Sequence, residues 1–241
     1  MWFDNDLFRL SYIAVVLVPL VLAIFSTNTT IVNSIPLIIG WSFLVTHANL
    51  MNDFVDKDRK LPLTGKYLLA LSIIFLVFGF YLMMDMMLYP MIFVLLMFVH
   101  NFITSRRIYS DTPVQAVALT MPYFSLATNI DFNILGLIIG NCVTGLFTDR
   151  MMDEKPNRRA FKILKTLSIL SLFGIFCFLI YLIFWNSYYA FLSPILLFVV
   201  GGLLIVLKGR LSFKTKVLIF YSNNVLLFYL IAVLASMGKF V

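Results

Sequence analysis

The chain has 241 residues, of which 62% are hydrophobic and 12% charged, against about 45–50% apolar and about 25% charged in a soluble globule. Those proportions exclude a soluble domain and predict an all-α, multi-pass membrane protein with a single transmembrane domain over 1–241. The net charge of +7 does not imply nucleic acid as a partner, because the basic residues sort by loop, as the order of the chain shows.

The N-terminus, MWFDNDLFRL, is weakly acidic, and no small-residue cleavage site follows the first apolar run, so no cleavable signal peptide is expected. Nine apolar runs predict nine spans: Leu10–Phe25, Ile31–Met51, Tyr67–Met84, Met87–Phe102, Val114–Thr128, Phe132–Phe147, Phe161–Trp185, Ala190–Leu207 and Val217–Met237. A bilayer core needs about 20 residues, so the first, fourth, fifth and sixth spans are short. The runs are continuous rather than alternating, which excludes a β-barrel. Of the 18 Lys and Arg, all but Lys239 fall on the N-terminal side of such a topology. That asymmetry predicts an N-terminus, and the loops that share its side, facing the cytoplasm. The opposite loops (STNTT, MD, NID, WNSYY) are short and nearly uncharged, and Trp185, Tyr188 and Tyr189 suit an interfacial aromatic belt. Cys142 and Cys177 lie inside apolar runs and read as small packing residues.

Acid is scarce, with eleven Asp and Glu in all, yet five of them close the second and sixth spans. The first cluster is NLMNDFVDKD, with Asn49, Asn52, Asp53, Asp56 and Asp58. If the helix runs on, Asn49, Asp53 and Asp56 share one face at i, i+4 and i+7. The second is Asp149 and Asp153, again at i, i+4, with Glu154 beside it. Both clusters fall on the predicted cytoplasmic side. Carboxylates oppose a helix C-terminal dipole and repel one another, so simple solvated helix ends account for them poorly. Paired hard oxygen ligands suit Mg²⁺, which completes its shell with water and substrate phosphate oxygens. Two such pairs would bridge one diphosphate. Nearby Lys60, Lys66, Arg106, Arg107, Arg150 and Lys155 follow the positive-inside pattern and would also neutralise a phosphorylated substrate.

With nine spans, NDFVD (Asn52, Asp53, Asp56) after the second and TDRMMD (Asp149, Asp153) after the sixth, the sequence resembles the UbiA superfamily of intramembrane prenyltransferases. That family's cover loop is echoed by KLPLTG, Lys60 to Gly65, and its Tyr-x-x-x-Lys motif by Phe102 to Arg106. Departures are Lys60 at the third aspartate of the first motif, with Asp58 two residues earlier, a shorter following loop, no Gly-Asp continuation after the second motif, and Phe102 and Arg106 for Tyr and Lys. The resemblance implies that Asp53, Asp56, Asp149 and Asp153 hold Mg²⁺ on a prenyl diphosphate. It further implies that Asn49, Asn52, Asp58, Lys60, Arg107 and Lys155 bind substrate and that Arg106 stabilises the departing diphosphate. A lipophilic acceptor and membrane lipids are the implied partners. A terpene cyclase of the same family is a second reading. A cation transporter is a third, disfavoured because the acids gather on one side rather than along a path.

Of the remaining polar residues, His47 and His100 are expected to hydrogen-bond within the bundle or to touch an acceptor. Gln115, Asn141, Asn223 and Asn224 are expected as interhelical glue. Asp85 and Asp131 are expected as plain loop carboxylates.

Overall fold

The computed structural model describes residues 10–56, 65–104, 108–127, 129–153, 158–208 and 213–241. Among them are nine α-helices: α1 Leu10–Phe25, α2 Ile35–Asp56, α3 Lys66–Leu82, α4 Leu88–Val99, α5 Ile108–Leu126, α6 Phe132–Asp153, α7 Arg158–Trp185, α8 Ile195–Lys208 and α9 Phe213–Ser236. Each expected span corresponds to one helix, but several ends differ. Helices α2 and α6 run past the apolar stretch into the acidic clusters, because backbone hydrogen bonding continues wherever helix-compatible residues do. Helix α8 starts later than expected, since Ser187–Leu192 forms a 3₁₀ segment before Pro194 opens the helix. Two segments, Val32–Val55 and Arg159–Trp185, are long and apolar enough to cross a membrane, and six further apolar helices are shorter.

The chain forms two compact units, Met1–Ile130 with Leu227–Val241, and Asp131–Leu226, so α9 begins in the second and ends in the first. In the first unit, α2 and α3 form a close antiparallel pair. A Cβ at Gly40 would lie 2.8 Å from the Met83 side chain, and one at Gly79 would lie 2.7 Å from Leu44 and 3.2 Å from the Gly40 carbonyl oxygen. Small residues let the backbones approach, as in other apolar helix pairs. Farther along the seam, Ser72 Oγ lies 2.8 Å from His47 Nδ1, and the Ser72 carbonyl oxygen lies 3.0 Å from it. His47 is therefore a packing residue of this seam. Helices α4 and α5 form a second hairpin, and α1 packs on α5 and α2. Trp41 ties the pairs together: its indole N–H donates to Ser125 Oγ at 2.9 Å, and its ring meets Phe93 edge-on at 5.3 Å.

The end of the chain caps α1. Lys239 Nζ donates to the carbonyl oxygens of Ile24, Phe25 and Thr27 at 2.8, 3.1 and 2.6 Å, while the Lys239 and Phe240 carbonyl oxygens accept from Ile31 and Val32. A cation suits the carbonyl-rich end of a helix.

In the second unit α6 packs on α7 and α7 on α8. Asp131 is the N-cap of α6 and not a plain loop carboxylate. Its Oδ1 accepts from the backbone N–H of Asn133 and Ile134 at 2.9 and 3.2 Å, and its Oδ2 accepts from Tyr189 Oη at 2.8 Å. Burial and the Asp131 carboxylate both raise the Tyr189 hydroxyl above its ordinary pKa, so it stays a donor. Tyr189 is 7% exposed, which removes it from the expected aromatic belt, whereas Trp185 and Tyr188 are exposed. Asn141 is exposed on α6 rather than bound between helices.

Two outcomes follow from these contacts. Lys239→Met, which keeps the stem and removes the donor, lowers the stability of the purified protein by about 1–3 kcal/mol, and Lys239→Arg recovers most of it. Gly79→Leu, which cannot fit against Leu44 and the Gly40 carbonyl, destabilises by about 1–3 kcal/mol or more, read as a drop in thermal unfolding temperature in detergent.

Candidate functional site

Helix α2 continues through Asp56, which places Asn49, Asp53 and Asp56 on one face at the helix's last two turns. Asp53 is 5% exposed. A carboxylate held this far from water is costly unless hydrogen bonds or cations compensate it, so this is no solvated helix end. Beside it, the Asn49 amide nitrogen and the Asn52 amide oxygen are buried and meet no hydrogen-bond partner among the described residues. One is a donor and the other an acceptor. A buried pair of that kind suits a ligand or ion that supplies both partners.

Helix α6 likewise continues through Asp153, so Asp149 and Asp153 lie on its last two turns, one helical turn apart. The side chains of Asp56, Asp149 and Asp153 lie outside the described residues, as do Asp58, Lys60, Arg106, Arg107 and Lys155 altogether. Among the described residues no three His, Cys, Asp or Glu cluster as metal ligands, and Asp53 is the one expected metal ligand whose side chain is described. The hard oxygens of Asp53 and Asn52 fit a Mg²⁺ ion or its bound water.

The structure adds residues that the acidic motifs did not single out. Helix α4 ends in a π-helical turn, His100–Thr104, whose first backbone N–H is shared between the carbonyl oxygens of Leu96 and Met97. Such turns occur frequently at functional sites. His100 and Asn101 are 5% and 3% exposed, while Phe102 turns outward, 49% exposed, its ring 4.5 Å from that of Phe98. Across the hairpin, Gln115 Nε2 of α5 lies 2.9 Å from His100 Nδ1 and 2.8 Å from Nε2. Gln115 thus does bridge helices, as expected. The π-helical turn packs against α2.

The depth of this pair follows from the Trp41–Ser125 bond. Gln115 stands ten residues before Ser125 on α5, and Met51 stands ten residues after Trp41 on α2, each a rise of about 15 Å. Because α2 and α5 run antiparallel, the His100–Gln115 pair lies level with Asn49–Asp53. The sequence signal for this was available but faint: two consecutive polar residues, His100 and Asn101, at the end of the most apolar run.

No protein-family model matches the sequence, and no curated protein matches it. By structure, the chain is similar to a UbiA homolog from Archaeoglobus fulgidus solved bound to Cd²⁺, with a TM-score of 0.69 and 13% sequence identity, over 95% of this chain and 98% of that one. Both chains are aligned over nearly their full lengths, so the likeness covers the whole helical arrangement and not a shared hairpin. The chain has a UbiA-like fold.

Proposed function

We propose that this protein is an integral-membrane, Mg²⁺-dependent prenyltransferase that moves an isoprenyl group from a prenyl diphosphate to a lipophilic acceptor. The observation that carries the reading is the buried Asp53, flanked by the Asn49 amide nitrogen and the Asn52 amide oxygen, both buried without a partner among the described residues, at the end of α2 in a chain of UbiA-like fold. The Cd²⁺ of the Archaeoglobus fulgidus homolog, a divalent cation, also supports it. Asp53 and Asp56 on α2, and Asp149 and Asp153 on α6, would hold the ion. Bound Mg²⁺ would supply charge neutralisation to the diphosphate.

The chain's own groups do the rest. Asn49 offers a donor N–H to a phosphate oxygen, and Asn52 an acceptor oxygen to a metal-bound water. Arg106, with Arg107, Lys60, Asp58 and Lys155, belongs to the proposed diphosphate-binding set, in which the guanidinium and ammonium groups offset the charge that develops as the allylic C–O bond breaks. The diphosphate leaves with the electron pair of that bond. The acceptor then forms a new bond to the allylic carbon and loses one proton to the medium. The apolar helices exclude water, which would otherwise trap the cation. The distribution of Lys and Arg supports a cytoplasmic N-terminus and a site open to the cytoplasmic side, where a charged diphosphate can reach it.

The test is incubation of the purified full-length chain with farnesyl diphosphate and Mg²⁺, with and without lipophilic acceptors. Diphosphate release is expected, about 100-fold or more weaker in Asp53→Ala and Asp149→Ala and after chelation with EDTA. Full activity in either variant, with monodisperse protein, removes the metal assignment. A cyclic hydrocarbon formed without acceptor establishes the cyclase instead. Metal uptake into liposomes that ignores prenyl diphosphates establishes a transporter.

A further inference from the structure

A cleft of about 330 Å³ opens in the first unit between the start of α4 and the end of α5. That volume is at the lower end of the about 300–1,000 Å³ typical of ligand sites. Ser125, in its wall, lies ten residues beyond Gln115 on α5, so the cleft is about 15 Å farther along the bundle than the level of Asp53. It is therefore separate from the proposed diphosphate site and independent of the transferase reading.

The wall is sorted by chemistry. Ser125 and Leu126 are buried, and the Ser125 hydroxyl is already engaged, donating to the Pro122 carbonyl and accepting from the Trp41 indole. The rings of Tyr89 and Phe124, one from each helix, stand nearly parallel at 18°, with centroids 6.2 Å apart. Met86, Met87 and Leu88 are exposed and give the cleft an apolar rim. Asp85 supplies its formal charge, and among the described residues no Lys, Arg or His lines it.

Asp85 does no structural work of the kind that Asp131 does. Asp131 caps α6 and accepts from the Tyr189 hydroxyl. Asp85, by contrast, makes no hydrogen bond or ion pair among the described residues, and the Tyr89 hydroxyl makes none either. Leu126 and Ala127 also line the cleft, at the carbonyl-rich end of α5, which carries that helix's partial negative charge. A carboxylate, a helix C-terminus and aromatic rings all favour a cation. One carboxylate is too few side-chain oxygens for a dedicated Mg²⁺ or Ca²⁺ cage, and a bare ion would leave the rings and rim unused.

We propose that this cleft binds the ammonium head of a membrane phospholipid. The ammonium sits beside Asp85 and the Tyr89–Phe124 pair, and the acyl chains leave over Met86, Met87 and Leu88. A free amine would answer Asp85 but leave the exposed rim uncovered, whereas an anionic head would meet repulsion from Asp85 and from the end of α5.

The experiment is native mass spectrometry of the full-length protein in detergent, titrated with palmitoyl-oleoyl phosphatidylethanolamine or with phosphatidylglycerol of the same chains. The wild-type protein is expected to bind the ethanolamine lipid about fivefold more tightly. Asp85→Asn and Tyr89→Leu each cut that preference about threefold, and Asp85→Glu keeps it. Both side chains make no hydrogen bond among the described residues, so the variants are expected to fold, and Tyr89→Leu changes no charge. No preference in the wild-type protein overturns the proposal, as does a preference that survives Asp85→Asn. Loss in Asp85→Asn but not in Tyr89→Leu overturns the part given to the rings. Soluble phosphoethanolamine that binds as tightly as the lipid overturns the lipid as occupant.

Discussion

A carboxylate at 5% exposure inside a chain that is 62% hydrophobic is the constraint on which this structure turns. Away from water, Asp53 is tolerable only if the surroundings return what hydration would have given. The first unit answers by concentrating its buried amide groups and its second histidine at that depth. Asn49 and Asn52 stand beside Asp53 on α2, and Asn101 and His100 stand on the turn that packs against it. Elsewhere in that unit buried hydroxyls are folded back on nearby carbonyls or, for Ser72, paired across the α2–α3 seam, and the rest of the described core is hydrophobic. Of the residues buried in this unit, the ionisable and amide ones, Asp53, His100 and Asn101, lie at one level.

Holding that level in place is a matter of backbone approach. Gly40 and Gly79 let α3 lie almost against α2, so the face carrying Asn49 and Asp53 is fixed by a seam with no slack. On the other side, the Trp41–Ser125 hydrogen bond and the Trp41–Phe93 contact set the register of α2 against the α4–α5 hairpin. A slip of either pair by one helical turn would carry Gln115 about 5.4 Å away from the level of Asp53. The apolar seams are therefore part of the positioning of the polar groups.

Much of this was legible from the chain itself. Continuous apolar runs gave the nine helices, because only an α-helix satisfies its backbone without water and each run needs one. The acidic clusters were legible because acid is so rare here that NDFVD and TDRMMD stand out. What was not legible depends on contacts between residues far apart or on backbone detail with no compositional mark. Asp131 looked like a loop residue since nothing local signals that Tyr189 would bond to it. Tyr189 looked interfacial because its partner lies 58 residues away. The π-helical turn at His100–Thr104 has no sequence signature. Helix ends were misjudged where hydropathy was used as the boundary, since a helix stops for backbone reasons and not at the last apolar residue.

The first unit is discontinuous in the chain: its final piece, Leu227–Val241, follows the whole of Asp131–Leu226. The Lys239 cap on α1 joins residues 212 to 215 positions apart. During synthesis, then, the helices bearing the first acidic motif emerge long before the segment that completes their own unit. They wait with the carbonyls of Ile24, Phe25 and Thr27 still uncapped by Lys239 while the 212 to 215 residues that separate them from it are made. The Lys239 cap is thus a late-made contact of an early-made helix, and folding of the first unit does not keep pace with elongation.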